Sequence, residues 1–161
     1  MTDNSVTPTA GSPAPDFTAP VHGWTAPSVT LSALRGRSVV LYFYPRDLTP
    51  GCTTEALDFT AALPRLRAAG AEVFGLSTDS LASHARFAAK HALAVPLISD
   101  PEAAVARAYG AWVEKNLYGK RSMGVERRTV LIDTAGRIAR IWPKVKVAGH
   151  VEAVLAAVEQ G

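Results

Sequence analysis

The apolar positions of this chain fall into short, dense runs separated by Gly, Pro and small polar residues. Ser38 to Tyr44 carries Val39, Val40, Leu41, Tyr42, Phe43 and Tyr44 almost without interruption, and Ala71 to Ser77 forms a second run. Runs without polar alternation predict strands buried on both faces, as in the middle of an α/β sheet. Between them, Cys52 to about Ala69 has helical character and closes at Gly70, while Pro64 inside it predicts a kink or interruption. Thr78-Asp79-Ser80 supplies cap residues for a helix reaching about His91. Val95 to Ile98 reads as a short strand. Asp100-Pro101-Glu102 reads as a helix start, with proline in the first turn and the end at Tyr109-Gly110.

The two ends of the chain carry weaker patterns. Residues 1 to about 13 are polar and rich in Pro and Gly, and predict a flexible tail ahead of a domain over 14–161. Asp16 to Leu31 suggests short extended pieces, followed by a brief turn at Ser32 to Leu34. Ala111 to Met123 reads as irregular. Arg127 to Ile132 and Arg137 to Trp142 predict two strands joined by the turn Asp133-Thr134-Ala135-Gly136. Gly149 to Val158 predicts a last helix, with Val151, Val154, Leu155 and Val158 on one face. The order is β-α-β-α-β-α, then a hairpin, then a helix. It predicts an α/β fold in which a mixed sheet carries helices on both faces. A strand, a loop and a helix-start cysteine, with a hairpin and a final helix later in the chain, is the thioredoxin-like arrangement.

Composition narrows this picture only a little. The chain has 161 residues, 48% of them hydrophobic, enough for one domain with a full core. No stretch approaches the roughly 20 apolar residues that a membrane span requires, and no early segment has the pattern of a signal peptide. A cytoplasmic location and no membrane partner are expected. The net charge of +3 comes from scattered cations, densest at Lys120-Arg121, Arg127-Arg128, Lys144 and Lys146. That reads as a basic solvated surface, or as cations gathered around an anionic site, and not as a nucleic-acid interface. His22, His84, His91 and His150 lack metal-ligand spacing, so no metal and no other cofactor is expected.

Candidate chemistry centres on Cys52, the chain's one cysteine. A thiol at a helix start faces unpaired backbone N–H groups and the positive end of the helix dipole, a setting that favours the reactive thiolate. A thioredoxin-type disulfide exchanger places a second cysteine three residues earlier, where this chain has Thr49. A lone thiolate suits attack on an oxidant, with formation of a sulfenic acid.

The segment Pro45-x-x-x-Thr49-x-x-Cys52 resembles the peroxiredoxin active-site pattern. The fuller Phe43-Tyr44-Pro45-Arg46-Asp47-Leu48-Thr49-Pro50-Gly51-Cys52-Thr53-Thr54-Glu55 is similar to the bacterioferritin comigratory protein, or peroxiredoxin Q, subgroup. Ala14-Pro15-Asp16-Phe17, Gly75-Leu76-Ser77-Thr78-Asp79, Leu97-Ile98-Ser99-Asp100, Arg127-Arg128-Thr129-Val130-Leu131-Ile132-Asp133 and Lys144 to His150 extend the likeness over roughly residues 14 to 160. The resemblance implies a peroxidatic Cys52, a Thr49 hydroxyl turned to sulfur or peroxide, Pro45 as a shield against water, and an arginine. Aligning the Leu-Ile-Asp ending assigns that arginine to Arg127, with Arg128 on the opposite strand face. Glu55 suits either a capping-box acid or a partner that orients the arginine, and both readings stay open.

Many members of the subgroup carry a second cysteine five residues after the first, where this chain has Leu57. An internal disulfide is therefore impossible within this chain. The resemblance implies reduction of hydrogen peroxide or organic hydroperoxides, with the sulfenic acid resolved by an external thiol: thioredoxin, glutaredoxin or a low-molecular-weight thiol. It also implies a monomer or weak homodimer. A non-enzymatic redox sensor or binding protein of the same fold is the alternative, and a disulfide oxidoreductase is disfavoured by the missing second cysteine.

Overall fold

The computed structural model describes residues 7–161. Its centre is a seven-stranded mixed sheet in the order β2-β1-β5-β4-β3-β8-β9. The strands are β1 (Thr18–His22), β2 (Ser28–Thr30), β3 (Ser38–Phe43), β4 (Ala71–Ser77), β5 (Leu97–Ser99), β8 (Arg128–Ile132) and β9 (Ile138–Trp142). β3, β4 and β5 are parallel, and β1, β2, β8 and β9 join by antiparallel pairing. The helices are α1 (Pro50–Ala68), α2 (Leu81–His91), α3 (Ala104–Ala108) and α4 (His150–Gln160).

The unbroken apolar run in β3 is explained by cover on both sides. Val39, Leu41 and Phe43 pack into one core with Val105, Ala106 and Tyr109 from and beside α3. Val40, Tyr42 and Tyr44 alternate onto the opposite core, with Phe59 and Leu63 of α1, Phe87 of α2 and Val154 and Leu155 of α4. Tyr42 lies nearly flat on Phe59, with ring centroids 4.4 Å apart. Its ring also passes directly over Gly75, where a Cβ would come within 2.6 Å of it.

Several boundaries differ from the sequence expectation. α1 begins at Pro50 and runs unbroken past Pro64. Proline removes one backbone donor there, but Phe59, Leu63 and Leu66 are buried on both sides of it and hold the helix in place. α3 begins at Ala104, later than the Asp100 start expected. Ala103 is left-handed (φ 59), and the Asp100 carboxylate reaches forward to accept from the N–H groups of Val105 and Ala106. Residues 111–123, expected to be irregular, are mostly a two-stranded ribbon of β6 (Trp112–Leu117) and β7 (Lys120–Val125). Its turn, Tyr118-Gly119, has positive φ at both positions, the hairpin geometry that matches strand twist. The ribbon escaped notice because it stands largely in solvent and so lacks a one-sided apolar pattern.

The tail expected over 1–13 is attached to the sheet in its later part. Gly11 N–H donates to Ile138 O, Ile138 N–H to Ser12 O, and Pro13 bridges Arg137. Residues 1–6 lie outside the described residues. Among the described residues, no helix is long and apolar enough to cross a membrane.

Candidate active site

The strand β3 ends at Phe43, and the chain turns over its end through residues 44–49 into α1. Thr49 is the extended N-cap residue, Pro50 the first helical position, and Cys52 lies in the first turn. Proline suits that position because its missing N–H would have no helical partner. Cys52 is 2% exposed and packs with Tyr42, Tyr44, Ala56 and Phe59.

Arg127 reaches this sulfur from the residue just ahead of β8. One guanidinium nitrogen, Nη2, lies 3.4 Å from Cys52 Sγ, and the other, Nη1, donates to Glu55 Oε1 at 2.6 Å. Gly51 leaves room for this approach: a Cβ there would sit 3.2 Å from Nη2, a tight contact. Arg128, placed one residue later on β8 itself, turns to Glu126 at 3.0 Å instead. Arg127 therefore precedes the strand expected to contain it, and its backbone carbonyl accepts from Val145.

Glu55 does not cap the helix. Its side chain is fully buried beside Arg127, and Oε2 has no hydrogen-bond partner. Burial pushes its carboxyl up to about 7, against the opposing pull of Arg127. Burial works against the charge on Arg127, but Glu55 and Cys52 outweigh it and hold the guanidinium protonated. Behind Arg127, the Thr129 hydroxyl and His150 Nε2 lie 2.7 Å apart. Burial first, and then Arg127, lower His150 to about 4, so this ring is neutral near neutral pH.

The raised Glu55 carboxyl has a measurable consequence. Between its ordinary value of 4.5 and about 7, the folded protein holds a proton that the unfolded chain has released. Stability must therefore decline with rising pH across that window, by on the order of 3 kcal/mol if the whole shift is expressed. Glu55→Gln is expected to flatten the decline, as read by urea midpoints from pH 4.5 to 8. An unchanged slope would show that Glu55 is ionised throughout.

The other two expected residues stand differently. The Thr49 hydroxyl donates to Arg46 O at 2.9 Å, and its backbone carbonyl accepts from Thr53. It is turned back into its own loop. Pro45 is half-buried and lines a surface depression of about 300 Å³ with Arg46, Trp112, Lys115, Met123 and Val125. The structure thus brings Cys52, Arg127 and Glu55 into direct sequence of contact, with Thr49 and Pro45 on the loop leading to them. Tyr42 and His150, which flank the group, carried no spacing signal of their own. Among the described residues, no group of three or more His, Cys, Asp or Glu is placed to hold a metal ion.

The buried Cys52 sulfur has a guanidinium against it. The same cation can meet negative charge developing on an oxygen bound at the sulfur.

The comparisons with known proteins agree with this chemistry. The pattern of the AhpC/TSA family matches residues 10–141. Peroxiredoxin Bcp of Xanthomonas campestris pv. campestris is 49% identical over 147 residues, 91% of this chain and 92% of the relative. Peroxiredoxin Bcp of Bacillus subtilis is 43% identical over 145 residues, covering 90% and 91%. A solved structure of Xanthomonas campestris peroxiredoxin Q superposes with a TM-score of 0.86 at 47% identity, covering 94% of this chain and 97% of that one. Another, of the Xanthomonas campestris bacterioferritin comigratory protein, concerns its alkyl peroxide reduction activity (TM-score 0.86, 46% identity, covering 94% of this chain and 98% of that one). With the thioredoxin-like sheet, the helix-start cysteine and these likenesses in agreement, this chain belongs to the AhpC/TSA family of peroxiredoxins.

Proposed function

We propose that the protein is a thiol-dependent peroxidase that reduces hydrogen peroxide and organic hydroperoxides through Cys52. The observation that carries this reading is the 3.4 Å contact between the buried Cys52 sulfur and the Arg127 guanidinium at the start of α1. The thiolate attacks the terminal peroxide oxygen, an S–O bond forms, and the O–O bond breaks. The electron pair leaves with the second oxygen, which takes a proton to become water or an alcohol. Cys52 remains as a sulfenic acid. Arg127 stands beside the sulfur and stabilises the departing oxygen during attack, while Glu55 holds the guanidinium in line. Pro45 and the Thr49 backbone shape the approach, and exclusion of water strengthens each of these contacts.

The second half of the cycle comes from outside. This chain has no other cysteine, so a thiol of thioredoxin, glutaredoxin or a small molecule attacks the sulfenic sulfur and releases water. A further thiol then releases Cys52 and leaves the reductant as a disulfide. Because Cys52 is almost fully buried, the first turn of α1 must open locally to admit that thiol. A free catalytic thiol needs a reducing compartment, which supports work in the cytoplasm, as a monomer or weak homodimer.

Peroxide consumption with a panel of reductants tests the reading, together with intact mass after peroxide alone. The expected result is sustained turnover with at least one external thiol, and a mass gain of one oxygen atom on Cys52. Oxidation once, without turnover under any reductant, would identify a sensor instead.

A further inference from the structure

Under the loop that joins β3 to α1 lies a second polar group that the proposed reaction leaves unused. Asp47 is buried and accepts three side-chain hydrogen bonds. The Tyr44 hydroxyl donates to Oδ1 at 2.6 Å, while the Ser83 hydroxyl at 2.8 Å and His84 Nδ1 at 2.7 Å share Oδ2. The Asp47 backbone N–H donates to Asp79 Oδ2, which the Ser77 hydroxyl also holds. On its far side His84 Nε2 lies 2.9 Å from the carbonyl oxygen of Ile98 in β5. His84 has no exposed surface.

Both ring nitrogens of His84 therefore face acceptor oxygens. Burial raises the Asp47 carboxyl, but hydrogen bonds from His84, Tyr44 and Ser83 outweigh it and keep the group below the ordinary carboxylate range. Asp47 Oδ2 and the Ile98 carbonyl thus hold the ring from both sides.

The next residue explains what this arrangement holds. Leu48 is left-handed at φ 65, a conformation that a leucine adopts only under constraint, and its side chain is 44% exposed. Little burial holds it there. Its neighbours do: Asp47 is fixed to Tyr44, to Ser83 and His84 of α2, and to Asp79 beyond the end of β4, and Thr49 is fixed by its bonds to Thr53.

We propose that the buried Asp47–His84 pair is the anchor of the active-site loop: it holds Leu48 left-handed, and so fixes where α1 begins and how the Cys52 sulfur meets Arg127. His84 is a positioning residue that acts through Asp47. The proposal rests on Cys52 being the thiol that reacts with peroxide.

The test is a double-mutant cycle on single-turnover oxidation of Cys52 by hydrogen peroxide, with reduction of the oxidised protein by dithiothreitol measured separately. His84→Gln is expected to slow oxidation about tenfold or more, since small misplacements of a reacting group cost that much, without slowing the reduction. In a Leu48→Asn background the same substitution should cost less than about threefold, because asparagine tolerates the left-handed backbone without an anchor. Ser83→Ala, which removes one bond to Asp47, should slow oxidation about two- to threefold. In the unsubstituted protein, ¹⁵N-resolved spectra should show a His84 ring N–H protected from exchange by its buried hydrogen bond.

Oxidation of His84→Gln at the native rate would overturn the proposal, and so would an equal loss in both backgrounds. If His84→Gln fails to fold, an unslowed Ser83→Ala or a freely exchanging His84 ring N–H overturns it instead. If the unsubstituted protein is not oxidised at Cys52, it is the peroxidase reading that falls, and the ring protons still report on the anchor.

Discussion

Cys52→Ser is expected to reduce peroxide turnover at least about 10³-fold, to the background of buffer and reductant. The loss is this large because no other residue of the chain can take over. Cys52 is the one thiol present, and a serine hydroxyl stays protonated and far less nucleophilic near neutral pH. The substitution is also a clean one. It exchanges sulfur for oxygen at a buried position in the first turn of α1, beside a guanidinium that can still donate a hydrogen bond. The thermal midpoint should change little, which separates lost chemistry from lost structure. Consumption of peroxide by this variant at the native rate would remove Cys52 from the mechanism.

Arg127→Gln should slow oxidation of Cys52 by about 10²- to 10³-fold, the range seen when one preorganised donor is removed from developing charge. Arg128→Gln should change the same rate by less than about threefold, because its partner is Glu126 and not the sulfur. Arg127→Lys is the informative intermediate. It keeps the charge but loses the fork that spans Glu55 Oε1 and Cys52 Sγ at once. It should recover part of the rate and not all of it. Second-order oxidation rates from stopped-flow traces over a range of peroxide concentrations provide the measurement. Equal slowing by the two glutamine variants would mean that the guanidinium at the sulfur contributes nothing specific. Arg127→Gln also removes the pull that holds the buried Glu55 carboxyl down, so burial will push it higher still.

The parts of the fold that were legible in the sequence are those where burial is two-sided or a cap is local. β3 and β4 announced themselves through unbroken apolar runs, and Ser80 caps α2 by accepting from Ser83 N–H three residues on. The β6–β7 ribbon was not legible, because a hairpin standing in solvent leaves no apolar periodicity. The start of α3 was hidden by a cap that spans five and six residues, from Asp100 to Val105 and Ala106. At the site, the loop motif placed Cys52, and the ending of β8 separated Arg127 from Arg128. The role of Glu55 stayed open, since an acid three residues after the expected helix start at Cys52 suits a capping box equally well. Only the reach of Arg127, from just ahead of β8, decides where it points. His84 was visible as a histidine without metal-ligand spacing, and nothing nearby in sequence reveals that Asp47 lies against it. That contact is made by the packing of α2 under the end of β3.

The attachment of residues 11–13 to β9 bears on how copies of this chain can meet. A sheet recruits a neighbouring molecule most readily along an outer strand, whose free N–H and C=O groups form a template for another strand. The outer strands of the sheet are β2 and β9. β2 is three residues long. The far end of β9 is occupied by the chain's own Gly11, Ser12 and Pro13, and proline has no N–H to pass the ladder onward. Strand-to-strand assembly is therefore discouraged at both margins. A strand joining this sheet would have to pair with β9 beyond Ile138, while the β6–β7 ribbon, which pairs only with itself among the described residues, is where outer strand edges remain.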